Sequence, residues 1–196
     1  MRIPAGGRVW LLLSTGSVLL LSGCGELTSG GAGEVEIEIT ADTVAVAAAM
    51  SPIAGTLTVG VQIFARRGAR EVELTDGVQE LQLPLDGSAS TVVSRKTVPA
   101  GPYTGERVVF SKVEADVEDG LEVGGEPFVG EVQVELGPGG RVEIPWAAEV
   151  NVSENAISFL VLEMRAPRWL RLLNVELREV PRESFEANAP RIRHAP

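Results

Sequence analysis

Few side chains in this sequence are equipped for chemistry. Cys24 is the only cysteine and His194 the only histidine. A lone cysteine excludes an intramolecular disulfide and any multi-cysteine metal site. A lone histidine close to the end of the chain leaves no Ser/His/Asp or Cys/His device and no histidine-based zinc site. Neither Gly-x-Ser-x-Gly nor a phosphate-binding Gly-rich loop with Lys and Ser/Thr occurs. Carboxylates remain. Asp116, Glu118, Asp119 and Glu122 crowd one stretch and are oxygen ligands of the kind calcium takes, but their spacing is not that of an EF-hand loop, and a solvated acidic turn explains them equally. A glycosidase pair would have to be drawn from these or from Glu163 and Glu183. Tyr103, Trp146 and Trp169 are the rings on which a sugar would stack. Each also has a packing role open to it: Trp146 is in phase with Val142 and Ile144, and Tyr103 stands where a tyrosine ties a corner to the backbone. No catalytic residue, metal or cofactor is expected.

Two kinds of element surround these residues. The first is the N-terminal stretch. Arg2 and Arg8 are followed by Val9 to Leu13, a Ser/Thr/Gly interruption at 14–17, then Val18 to Leu21 and small residues up to Cys24. A basic start, an apolar middle and a small-residue end describe a secretory signal peptide over 1–23. The apolar run is shorter than the roughly 20 residues a membrane-spanning helix needs. Residues 24–33 are Gly-rich, a flexible linker composition.

The second kind is a series of alternating strands over 34–181. Val35, Ile37 and Ile39 alternate with acids and threonine, and Leu57, Val59, Val61 and Ile63 repeat the pattern. Asp76-Gly77 signals a hairpin before Val78 to Leu85. Strands are expected over Thr91–Val98, Arg107–Val117, Glu131–Leu136, Arg141–Trp146 and Asn174–Val180. Ile157–Met164 is apolar on both faces and reads as a central strand buried on both sides. Residues 182–196 read as a polar, Pro-bearing tail that frays. Turn signals every 8–12 residues without βαβ alternation predict an all-β, antiparallel β-sandwich.

Leu21-Ser22-Gly23-Cys24 resembles the lipobox of bacterial lipoproteins. The resemblance implies cleavage before Cys24 and acylation of that residue, and hence attachment to a membrane of the cell envelope. Gly25, where an Asp would retain a lipoprotein at the inner membrane, implies the outer membrane. Several acyl chains on one residue anchor stably where one does not. A second resemblance covers the middle of the chain. Leu81-Gln82-Leu83-Pro84-Leu85, then Val98 to Thr104 with Pro99-Ala100-Gly101-Pro102-Tyr103, then Val108-Val109-Phe110 is similar to an element of a domain-of-unknown-function family common in bacterial lipoproteins. Phe159 to Leu162 matches a later hydrophobic strand of that family. This implies an immunoglobulin- or prealbumin-like, or starch-binding-like, sandwich and carries over no catalytic residue.

Charge narrows the partners. The chain has 17 basic and 27 acidic residues, and from Cys24 onward 15 basic against 27 acidic, a net charge near −12. That balance disfavours nucleic acid and electrostatic docking on anionic headgroups. The expected function is a lipid-anchored, non-enzymatic binding or scaffold module contacting an envelope protein, the alternative being a carbohydrate-binding module whose ligand is a glycan.

Overall fold

The structure, a computed structural model, describes residues 30–42 and 52–194. Two sheets pack as a β-sandwich. The strands are β1 (Ala32–Thr40), β2 (Ala54–Arg67), β3 (Arg70–Glu73), β4 (Gln79–Pro84), β5 (Ser90–Pro99), β6 (Gly101–Val123), β7 (Glu126–Val134), β8 (Val142–Pro145), β9 (Glu149–Val152), β10 (Ile157–Glu163), β11 (Glu179–Val180) and β12 (Arg191–His194). Helices α1 (Ala166–Leu170) and α2 (Arg182–Ala187) are short. Sheet A has the order β12-β10-β1-β5, and sheet B the order β11-β7-β6-β2-β3, with β4 beside β2 and with β8 and β9 beside β6.

Alternation places one face of each strand inside. Val35, Ile37 and Ile39 of β1 and Leu57, Val59, Val61 and Ile63 of β2 are buried, as their spacing predicts. The 23-residue β6 is the spine of sheet B, pairing antiparallel with β2 from Thr104 and Arg66 at one end to Asp119 and Ala54 at the other, through bulges that bend it. Phe185 meets Phe110 and Trp169 edge to face, at 5.6 and 5.4 Å between ring centroids, which ties both helices into the core. Asp76-Gly77 does not make the expected hairpin: β3 and β4 pair antiparallel with β2 one after the other, so the chain loops out between them and runs on in the same direction, with Gly77 at a positive φ of 74° in that loop.

Four further expectations are corrected. The sandwich is not wholly antiparallel: β1 runs parallel to β10, and β11 to β7. The first pair enters sheet A from the same end, where Glu34 N–H donates to the Ala156 carbonyl and Asn155 N–H to that of Ala32. Residues 182–194 do not fray: Phe185 is fully buried in α2, and β12 pairs with β10. Asn174–Val180 is a strand only at its last two residues, because Asn174 Oδ1 accepts the N–H groups of Glu176 and Leu177 and turns the backbone out of the sheet. Finally, β10 is buried on both sides only at its end: Leu160, Leu162 and Met164 face the core and Val161 is covered on the outer face, while Ile157 and Phe159 stand exposed there. The Ala/Val-rich stretch at 43–50 lies outside the described residues.

Candidate functional site

Cys24 and the lipobox residues Leu21, Ser22 and Gly23 lie outside the described residues. The described chain begins six residues after Cys24, at Gly30, and feeds directly into β1 in the interior of sheet A. No helix among the described residues is long and apolar enough to cross a membrane.

The three rings singled out for ligand contact are core residues. Trp169 is fully buried and its Nε1–H donates to the Met164 carbonyl at 2.9 Å. Trp146 is buried with Nε1–H donating to the Phe64 carbonyl at 2.9 Å. A Cβ at Gly105 would stand 2.4 Å from the Trp146 ring, so the absence of a side chain there is what lets the indole lie against β6. Tyr103 is buried, and its hydroxyl donates to the Pro99 carbonyl at 2.7 Å, four residues back. Burial pushes the Tyr103 phenol above its ordinary range. The structural role of each ring therefore prevails, and none offers a face for stacking.

The acids are dispersed along β6. Asp116 and Glu118 point outward, and Asp119 is turned back to accept the N–H of Gly120 at 2.8 Å. Glu163 pairs with Arg193 across sheet A, whereas Glu183 sits in the first turn of α2. No group of three His, Cys, Asp or Glu among the described residues converges to hold a metal ion. His194 is exposed on β12, where Nε2–H donates to the Glu149 carbonyl at 2.6 Å.

Two surfaces emerge that the sequence did not single out. The first is the outer face of sheet A. Ile157 is 37% and Phe159 45% exposed, and Val161 continues the same side of β10. Beside them on β1 stand Glu34, Glu36 and Glu38 in register, with Arg95 of β5 paired to Glu34 at 2.7 Å and Glu36 at 3.7 Å. Arg193 of β12 is level with Val161 on the other side. The clue was present in the double-sided apolarity of Ile157–Met164, but sequence alone did not say which of its residues would stand exposed.

The second surface is a trough of about 630 Å³ across sheet B. Its floor is two cross-strand rows, Gln82-Thr58-Glu114-Gln133 and Thr56-Asp116-Glu131. Leu177, 65% exposed, and Arg178 form one wall, supplied by the turn that Asn174 creates. Further along sheet B, Arg107 lies 4.4 Å over the Phe64 ring and pairs with Glu71, and Arg66 Nε donates to Glu106 at 2.9 Å. The Arg66 hydrogen bond holds the Glu106 carboxyl below the usual carboxylate range.

Comparison with known proteins adds no relative: no protein-family model matches the chain, and neither a curated protein nor a solved structure is similar to it.

Proposed function

We propose that this protein is a lipid-anchored component of a bacterial cell envelope, held through Cys24, whose β-sandwich is a non-enzymatic binding or scaffold module for an envelope protein. The anchor is read from the sequence 1–24 and its resemblance to a lipobox, and Gly25 favours the outer membrane. The observation that carries the binding role is the exposed apolar pair Ile157 and Phe159 in an interior strand of sheet A. Neighbouring apolar side chains beside the charged strand β1, with Val92 of β5 exposed beyond it, are what a protein contact desolvates. That face belongs to the sheet the linker enters. Five residues separate Cys24 from Gly30, a leash of about 20 Å at full extension. The partner is therefore expected close to the bilayer.

Glycan binding is the second reading. It draws support from the hydroxyl, amide and carboxylate rows of the trough in sheet B, which suit a hydroxyl-rich ligand bound by hydrogen bonds without ring stacking.

The test joins chemistry and location. Cells producing the native chain and Cys24→Ala are fractionated, the mass of the mature N-terminal peptide is determined, and both are crosslinked in the cell. The expected result is an acylated Cys24, a membrane fraction lost in Cys24→Ala, and a discrete protein crosslink that depends on the anchor. A soluble, unacylated native protein overturns the anchor. A membrane-bound protein with no protein crosslink, but with a glycan retained, moves the function to the second reading.

A further inference from the structure

We propose that the arginine-rich edge over residues 165–178, with its exposed apolar turn, is a docking surface for an anionic phospholipid bilayer. It is separate from the protein contact on sheet A. It draws on the anchor reading only in that a tether at Cys24 keeps a bilayer within reach.

Uneven charge carries it. Residues 24–163 hold eight basic residues against 23 acidic ones, whereas residues 164–196 hold seven arginines against four glutamates. The net charge that disfavours anionic headgroups therefore belongs to the earlier strands, and the last part of the chain has the opposite sign. Its path keeps that part together. After β10 the chain runs through α1 to β11 at the edge of sheet B, then through α2 to β12 at the edge of sheet A, so it closes one side of the sandwich. Residues 165–178 contain four arginines and one acid, Glu176. Arg168, Arg171 and Arg178 are exposed, and their side chains have no ion-pair or hydrogen-bond partner among the described residues. Arg165 is partly covered, and its Nη1–H donates to the Ala189 carbonyl at 3.3 Å. Burial first, and then the charges of Arg168 and Arg191, hold the Arg165 pKa below the ordinary arginine value despite Glu163 and Asp42. Arginines from α1 and β12 are thus neighbours in space.

Apolar side chains stand among these guanidiniums. Leu172, Val175 and Leu177 are 46, 49 and 65% exposed. They sit on a turn of fixed shape. Asn174 N–H donates to the Glu179 carbonyl at 2.9 Å, Glu179 N–H donates back to the Asn174 carbonyl at 3.3 Å, and Asn174 Oδ1 accepts the N–H groups of Glu176 and Leu177. Apolar side chains flanked by arginines are what a bilayer interface takes up: the former enter the boundary of the acyl chains, and guanidiniums bind phosphate oxygens in pairs. The acidic strands do not cancel this attraction, because charges separated by more than about 8 Å are screened at physiological salt. On the sheet B side the patch ends at the trough, where Asp116 and Glu131 are acidic, so the molecule meets the bilayer by its edge and not by the flat of the sheet.

The test reconstitutes the full chain in vesicles of phosphatidylcholine alone or mixed with phosphatidylglycerol. A fluorescent amino acid sensitive to its surroundings is placed at position 175, or at position 89 in the β4–β5 turn, where the opposite edges of both sheets lie. With phosphatidylglycerol, emission at 175 is expected to shift to the blue and to resist quenching by acrylamide, while position 89 stays water-exposed. An arginine near an anionic surface is worth about fivefold, so Arg168→Glu combined with Arg171→Glu is expected to lower the ratio of inserted to exposed probe by at least about twentyfold. Circular dichroism checks that the variant is folded, and a Lys pair at the same two positions is expected to keep most of the insertion. A probe at 175 as accessible as that at 89, or an insertion indifferent to phosphatidylglycerol or to the charge reversal, overturns the proposal. A protein adduct from a crosslinker at 175, without insertion, would replace the bilayer by an acidic protein. The mass of the N-terminal peptide in the same sample reports the anchor separately: an acylated Cys24 with no insertion at 175 removes only this surface, and insertion with an unacylated Cys24 removes only the anchor.

Discussion

On sheet B the outward positions of β2 and β6 along the trough are Thr56 and Thr58 and Glu114, Asp116 and Glu118, all polar, and Phe64 further along β2 is covered by Arg107. On sheet A the outward positions of β10 are the exposed Ile157 and Phe159, then Val161, which is covered, and Glu163, beside a β1 that turns Glu34, Glu36 and Glu38 outward. Both sheets bury their inner faces equally well, so core packing does not explain the difference. A sheet face in water is ordinarily polar, and β1 and the trough half of β2 and β6 obey that rule. One strand that breaks it, next to strands that keep it, marks where the molecule expects a neighbour.

The sharpest way to break this comparison is to exchange burial for exposure at one residue type. Phe110 of β6 and Phe159 of β10 differ in which face they occupy. Phe110→Ala empties the ring cluster with Trp169 and Phe185, and chemical denaturation is expected to show a loss of about 3–5 kcal/mol. Phe159→Ser is expected to change folding stability by no more than about 0.5 kcal/mol while lowering association. A large destabilisation by Phe159→Ser would mean that the face is covered within the folded chain.

Next in size is Trp146→Phe. It keeps most of the apolar ring against Gly105 but removes the donor to the Phe64 carbonyl, for an expected loss of about 1–2 kcal/mol in the same measurement. Glycan affinity, if glycans bind in the trough of sheet B, is expected to survive this change, since Trp146 does not line it.

The smallest effect concerns pH. Glu73 Oε1 accepts from Gln62 Nε2 at 2.7 Å and from Gly77 N–H at 2.7 Å, which, with the Gln62 bond foremost, holds its carboxyl below the usual carboxylate range. A depressed folded-state pKa contributes stability that is present at neutral pH and lost as pH falls through that pKa. Glu73→Gln is therefore expected to flatten the acid limb of thermal stability between neutral pH and the carboxylate range, with little change to the outer face of sheet A. An acid limb identical to that of the native chain would contradict the role given to Glu73.

These residues also mark how far the sequence could be read. Alternation in β1, β2 and β7 identified the core positions because one side chain in two is apolar and the other is not. The tyrosine corner was legible because Tyr103 follows a Pro-Gly turn and its bond is local. What escaped depends on distant parts of the chain. Phe185 is buried because Phe110 and Trp169, from elements remote in sequence, leave a space of its shape. The strand expected at Asn174–Val180 fails because one short amide side chain outcompetes the ladder. Phe159 is exposed because no other described element packs over that part of sheet A, and no periodicity encodes that.

Site-specific photo-crosslinking in the cell tests the central claim most directly, with the probe placed at position 159 on sheet A or at position 58 on sheet B in the otherwise native chain. A discrete protein adduct at 159 that is absent at 58 is the predicted result, and an adduct of twice the chain's mass would identify the partner as a second copy. No adduct at 159, or the same adducts at both positions, would contradict the assignment of sheet A's outer face as the contact surface.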